Sequence, residues 1–397
     1  MLLLWRKTPA LYCLILSALV LMPAFNVATD LYSAPIFLLL IFSVFQRDFY
    51  RLVYCIVSRY WLAFVSLCLA LVSCLWADNP DIVLASWRNE LLIPFLGLLV
   101  YCFFTLRLDE ESAKRVLFGV VALFVLLSII GFVWFGYGGI FRIFYDNGYY
   151  TTYVVVVFSA FLPFVKSWSR IVFYSCLAFC FFLTGQRVVW LLLPVMAFAD
   201  FICSGGKRNY RAIAGLVFVA LGSILVLKYL QSVRPADAFD PHVKPSGLLA
   251  YLMANERLYL WGQWLNRGLG SPWLGIGFGR DNALAHFSQG GVWPKEYLTH
   301  AHNMILNQFV QLGLVGVSLL VATYGQLLKG FSSALKNRFA WSGLFVLFFF
   351  FLRNLTDDYE LRRIMMFYLG MLGLCLGPCL NEHVAKSDSK PQFEHAR

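Results

Sequence analysis

The stretch His302-Asn-Met-Ile-Leu-Asn-Gln-Phe-Val-Gln-Leu-Gly313-Leu-Val-Gly316-Val-Ser-Leu-Leu-Val decides how this chain is read. An ionisable side chain stands at the head of an apolar segment that runs over 303–328, longer than the ~20 residues a bilayer needs. Such a group at a membrane boundary is expensive to keep and marks a functional position. At roughly 100° per residue, Gly313 falls about 20° and Gly316 about 40° from His302 around the helix. The spacing therefore predicts a stripe of small residues against which a neighbouring helix packs closely and fixes the histidine.

Working outward, the rest of the chain is of the same kind. Of 397 residues, 60% are hydrophobic and only 13% charged, and the mean hydropathy is +0.71. A soluble domain is nearer half apolar and a quarter charged. The fold class is all-α: a polytopic integral membrane protein. About twelve spans can be drawn at bilayer length: 8–25, 31–46, 56–76, 91–106, 116–135, 151–166, 171–185, 188–203, 211–230, 303–328, 340–356 and 363–380. The basic flank before residue 8 leads into an apolar stretch with no small-residue cleavage site, so the first span is expected to be retained. The net charge of +11 is spread as short basic pairs between spans, a topology signal and not a nucleic-acid surface. The same pairs suit contact with membrane lipid headgroups. Arg6/Lys7, Arg47/Arg51, Arg107/Lys114/Arg115, Lys166/Arg170, Lys207/Arg208/Arg211 and Lys329/Lys336/Arg338 mark one side as cytoplasmic. The opposite short loops carry only Arg88 and Arg142. Both termini are then cytoplasmic.

The chain divides into helices 1–9 over 1–230, a large outward loop over 231–302, three further helices over 303–380, and a polar cytoplasmic tail over 381–397. The loop contains Glu256-Arg257-Leu-Tyr-Leu-Trp261-Gly-Gln-Trp264-Leu, whose apolar residues recur at helical spacing and predict a helix lying in the headgroup plane. A glycine-rich turn, Pro272-Trp-Leu-Gly275-Ile-Gly277-Phe-Gly279, follows it. It lacks the strand–turn–helix setting of a nucleotide loop. All ten cysteines fall in or beside apolar segments and none in the loop, so they read as small buried hydrophobes and not as a disulfide framework.

Four features share the outward side by topology: Arg142 after the fifth span, Arg187 in the tight turn after the seventh, Arg257 on the loop helix, and His302. Each arginine alone is more often a snorkelling anchor than a phosphate clamp. Together, forked permanent donors suit phosphate oxygens, and a histidine can take a proton from a hydroxyl. His300-Ala-His302 has no cysteine near it and Glu296 as its nearest acid, so no metal site is expected. Arg353, Asp357, Asp358, Glu360, Arg362 and Arg363 form a charged cluster at the last outer turn, read as helix-end salt bridging or as support for the site.

His302-Asn303-x9-Gly313-Leu-Val-Gly316 resembles the pattern of bacterial O-antigen ligases and their polymerase relatives. Thr184-Gly-Gln-Arg187-Val-Val-Trp190 resembles their arginine–tryptophan pair, with Gly-Gln where relatives are serine-rich. Glu256-Arg257-x3-Trp261 and the proline–glycine stretch resemble the segment ahead of their histidine. The resemblance implies a membrane glycosyltransferase of GT-C-like fold at the bacterial inner membrane, with its active site facing the periplasm. It would be inverting, metal-independent and without a cofactor. The donor would be a glycan on undecaprenyl diphosphate and the acceptor a sugar hydroxyl of the lipid A–core oligosaccharide. His302 would be the base, Arg187 and Arg257, with Arg142, would hold the diphosphate, and Asn303, Gly313 and Gly316 would support the motif. An O-antigen polymerase would share the donor and use a lipid-linked glycan as acceptor. A transporter of lipid-linked glycan would place charge near the membrane midplane, whereas here it gathers at one rim. A scaffold without chemistry would leave the histidine and arginines unexplained.

Overall fold

The computed structural model describes residues 8–25, 33–144, 147–166, 169–184, 186–203, 256–288, 301–355 and 362–388. The ninth span, over 211–230, lies outside them. Every regular element among the described residues is helical: α1 (Pro9–Leu21), α2 (Ala34–Val44), α3 (Arg47–Arg59), α4 (Trp61–Val72), α5 (Pro80–Leu106), α6 (Glu110–Phe144), α7 (Asn147–Phe161), α8 (Ser169–Thr184), α9 (Arg187–Cys203), α10 (Glu256–Gly268), α11 (Arg280–Ser288), α12 (Met304–Ser332), α13 (Arg338–Asn354) and α14 (Arg362–Asp388). Within α5, α6, α12 and α14 lie the four stretches that are long and apolar enough to cross a membrane singly, and the pair α3–α4 passes only as a bent unit. With five shorter apolar helices beside them, and with Phe37, Leu38, Ile41, Phe42, Val133 and Trp134 exposed on the outside, this is a multi-pass membrane protein whose apolar belt faces lipid.

The centre of the molecule is the packing of α5 on α14. A β-carbon at Gly373 would meet the Leu98 carbonyl oxygen at 2.7 Å, and one at Gly377 the Cys102 carbonyl oxygen at 2.6 Å. The glycines on α14 therefore let two backbones touch, the usual device where apolar lipid supplies no drive for helix association. Around this pair, α1 packs on α6, α7 on α6 and α13, and α12 on α4 and α13.

Several boundaries depart from the hydropathy reading. The expected span 56–76 is split by an 85° bend between α3 and α4. α3 is amphipathic, burying Phe49, Leu52 and Ile56 while Tyr50 and Tyr54 stay exposed. α5 begins at Pro80 and not near 91, passing through a π-helical turn at Trp87–Leu92. Arg88, expected in a loop, is therefore on a helix. Arg142, also expected in a loop, lies on the helical continuation of α6 beyond a break at Gly136 (φ 71°). The predicted loop helix is present as α10, but it does not lie free at the headgroups: Trp264 is fully buried and Gly268 abuts Phe309 and Val310 of α12. The nine cysteines with described side chains are all free.

Candidate active site

α12 is not the unbroken helix its hydropathy suggests. It breaks at Gly313, whose φ of 64° is left-handed, and a broken helix inside a membrane protein must find partners for the backbone groups it frees. The glycine-rich turn supplies them. Ile276 N–H donates to Val310 O (3.0 Å) and Gly277 N–H to Gln311 O (2.9 Å), while Leu314 N–H donates to Pro272 O (2.8 Å) and Val315 N–H to Trp273 O (3.2 Å). The two backbones lie so close that a β-carbon at Gly275 would overlap Gln311 and one at Gly313 would overlap Trp273. The expected stripe of small residues is thus replaced by a clasp: Gly313 faces the backbone of residues 273–274, not a neighbouring helix. Gly316 stays buried beside Leu312 and Gln308.

Buried amides complete the clasp. Gln311 Oε1 accepts from Gly279 N–H (2.7 Å), Ser73 Oγ accepts from Phe278 N–H (2.9 Å), and Asn282 Nδ2 donates to the Ile276 and Gly277 carbonyls (3.0 and 3.1 Å). At the end of α11, His286 Nδ1 lies 2.5 Å from Asp78 Oδ2. The guanidinium of Arg267 lies 4.3 Å over the Phe287 ring, where burial lowers the Arg267 pKa from its ordinary value.

Above the clasp lies the His302 turn. Ala301 N–H donates to the buried Asn307 Oδ1 (2.7 Å), and Asn303 caps α12, its Oδ1 accepting from Ile305 N–H (3.0 Å) and Leu306 N–H (3.2 Å). Asn303 Nδ2 donates to Leu355 O at the end of α13 (3.2 Å). Held between two pinned neighbours, half-buried His302 takes φ 50°, the only described non-glycine residue with positive φ. Such a conformation costs of order 1–2 kcal/mol and persists only where the surroundings impose it.

The side chains of Arg142, Arg187 and Arg257 are outside the description, but their backbone places are not. Arg187 opens α9. The residue before it, Gln186, accepts through Oε1 from Arg353 Nη2 (2.9 Å), two residues before the Leu355 carbonyl that Asn303 holds. Arg257 lies one turn ahead of Leu260, which with Trp264 shares a buried cluster with Ala301 and Val310. The start of α10 therefore points toward the His302 end. Arg142 precedes Phe144, which packs on Phe25 at 6.1 Å, and Phe25 O accepts from Arg363 Nη1 (3.0 Å). The starts of α9 and α10 thus lie on the side of the His302 turn, while the end of α6 lies by Phe25, near the start of α14. Asp357, Asp358 and Glu360 of the charged cluster lie outside the described residues. Its Arg353 is 1% exposed and joined to Gln186, a partner the helix-end reading did not foresee. Asn307 and Gln311, which hold the turn and the clasp, were also passed over, although amides in an otherwise apolar helix were the available signal. Among the described residues no three His, Cys, Asp or Glu side chains cluster as metal ligands; His300 lies outside them.

A cleft of about 170 Å³ opens between α4, α5, α12 and α14, bordered by Tyr60, Ser66, Leu98, Gln308, Leu327 and Leu376. Gln308 and Leu327, on either side of the break at Gly313, both line it. Two of the polar groups on its wall are satisfied within it: Ser66 Oγ donates to Leu62 O (2.9 Å) and lies 3.1 Å from Thr323 Oγ1. The lining presented to an occupant is mostly hydrocarbon.

The described parts are those of a multi-pass helical membrane protein with a pinned His302 turn close to an apolar cleft. Residues 172–321 match the family model described as O-antigen ligase, and this segment spans α8, α9, α10, the clasp and most of α12. The match agrees with the motif resemblance over that segment and supports a general enzymatic role. No curated protein matches the chain.

Proposed function

We propose that this protein is an O-antigen ligase: a glycosyltransferase that moves a glycan from undecaprenyl diphosphate to a sugar hydroxyl of lipid A–core, at the periplasmic face of the bacterial inner membrane. In this reading the chain has about twelve spans in a GT-C-like arrangement, with both termini cytoplasmic and the His302 rim periplasmic. The observation that supports it is the His302 turn, strained and pinned on both sides within the matched segment, on the side where the helices of Arg187 and Arg257 begin.

The acceptor oxygen attacks the anomeric carbon, and its proton passes to His302 as general base, a role typically worth about 10²–10⁴-fold. The bond from that carbon to the diphosphate oxygen breaks with inversion. The electron pair leaves with the lipid diphosphate, whose charge Arg187 and Arg257, with Arg142 beside them, stabilise. Fixed guanidinium charges take the part a metal ion would otherwise play. The cleft takes the donor's isoprenoid tail. Both substrates being membrane-anchored, a rim site brings their sugars into register.

The test is transfer by purified protein in detergent, with undecaprenyl-diphosphate-linked glycan, lipid A–core, EDTA and no nucleotide. Glycan on lipid A–core with wild type, reduced at least ~10²-fold in His302→Ala, is the expected result. Longer lipid-linked glycan in its place would make the protein a polymerase. Full activity in His302→Ala would remove the base.

A further inference from the structure

The last turn of α13 touches both halves of the site and contains none of its residues. From it, Arg353 Nη2 reaches Gln186 Oε1 at 2.9 Å, and the Leu355 carbonyl receives Asn303 Nδ2 at 3.2 Å. Gln186 precedes Arg187 and Asn303 follows His302. The turn is rigid: Arg353 is 1% and Asn354 0% exposed, and Asn354 Nδ2 is bonded to Phe350 O at 2.7 Å. The Arg187 turn is braced from its own side as well, Gln186 N–H donating to Thr184 Oγ1 at 3.2 Å. A guanidinium buried this deeply is costly in a membrane protein, and here a described use of its charge-assisted donor is to fix a single amide at a helix start.

We propose that Arg353, acting through Gln186, is a positioning residue that sets Arg187 in register with His302 across the end of α13. The inference rests on the ligase reading above. It assigns to Gln186 the job of an acceptor whose only requirement is an oxygen at that place. Glutamate meets it, and alanine or leucine does not. The bond between Asn303 and Leu355 is the matching half: serine at 303 can still cap α12 but cannot reach Leu355. The two halves should fail differently, because one holds the diphosphate-binding side and the other the base.

The experiment is steady-state transfer with the full-length protein, donor concentration varied, together with inhibition by free undecaprenyl diphosphate and amide hydrogen exchange over residues 184–190. Wild-type transfer comes first; if wild type makes no product of either kind, the ligase reading fails before the positioning claim is reached. With wild type active, Gln186→Ala is expected to raise donor KM and the undecaprenyl diphosphate inhibition constant together by about tenfold, the scale of one charge-assisted hydrogen bond. Exchange at 184–190 should rise. Gln186→Glu should restore both constants toward wild type. Asn303→Ser should lower kcat with donor KM little moved. Arg353→Gln combined with Gln186→Ala should cost no more than either alone. Unchanged donor KM and inhibition in Gln186→Ala, or effects of the two substitutions that add, would overturn the proposal. So would a fall in Tm and yield of Gln186→Ala with kinetic constants intact, which would make the contact purely structural.

Discussion

At the scale of single residues, the structure turns on conformations rather than on hydropathy. Gly313 takes φ 64° and Gly275 φ 67°, and neither has room for a β-carbon against the opposing backbone. Gly313→Ala combines left-handed strain of ~1–2 kcal/mol with a backbone overlap that no side-chain rotation relieves, so it should cost about 3 kcal/mol or more. Gly325→Ala, on the same helix with nothing within 4 Å of its β-carbon, should be neutral or stabilising by ~0.5–1 kcal/mol. Thermal melting and folded yield of the two variants in detergent check this, and equal melting temperatures would dismantle the clasp argument. The sequence marked both glycines, and the histidine–asparagine pair, as special. It did not say that Gly313 breaks the helix, because the partners of that break lie some forty residues upstream and the pairing is between backbones, which carry no side-chain signature.

At the scale of elements, the hairpin of α8 and α9 carries Arg187 at its tip and an ion pair at its base. Arg170 is ion-paired with Asp200, Nη2 donating to Oδ1 at 3.1 Å and Nε 2.9 Å from Oδ2, with Tyr174 O–H donating to the same carboxylate at 3.4 Å. Asp200 is only 8% exposed. Removing one partner of a buried pair leaves the other uncompensated, so Asp200→Ala should destabilise by roughly 3 kcal/mol. Limited proteolysis should then cut sooner around Lys166–Arg170, and donor KM should rise as the tip loosens. If the Asp200→Ala hairpin resists protease as wild type does, the pair is not what closes its base. Hydropathy placed both helices of this hairpin within a residue or two, since they are short, apolar and flanked by charge. It failed at α3–α4 and α5 for a physical reason. Tyr60, where the chain turns by 85°, is apolar enough to be averaged into one span, and Arg88, Asn89 and Glu90 are polar enough to push the start of α5 too far along. The element ends are set by tertiary packing of Phe49, Leu52, Ile56 and Val83, all buried, which a sliding window does not see.

At the scale of the molecule, the all-helical membrane class followed from composition. The cleft did not, because its walls come from α4, α5, α12 and α14 and depend on which faces those helices leave apart. Its end at Gln308 and Phe278 adjoins the clasp that supports the His302 turn. If the donor's tail occupies it, chain length and cleft volume must be linked. Ala63 is half-buried on the wall, and a tryptophan there would fill space without touching the clasp or the rim. Ala63→Trp should raise KM about tenfold, or ~1.4 kcal/mol, for an undecaprenyl-linked donor, while a donor on a two-isoprene chain, too short to reach so deep, should be used as well by the variant as by wild type. Loss with both donors would mean that the substitution has disturbed the fold or the site. Loss with neither would place the tail elsewhere, on the lipid-facing surface. The cleft becomes part of the reaction only if the penalty depends on the length of the chain, since no other feature of the two donors differs.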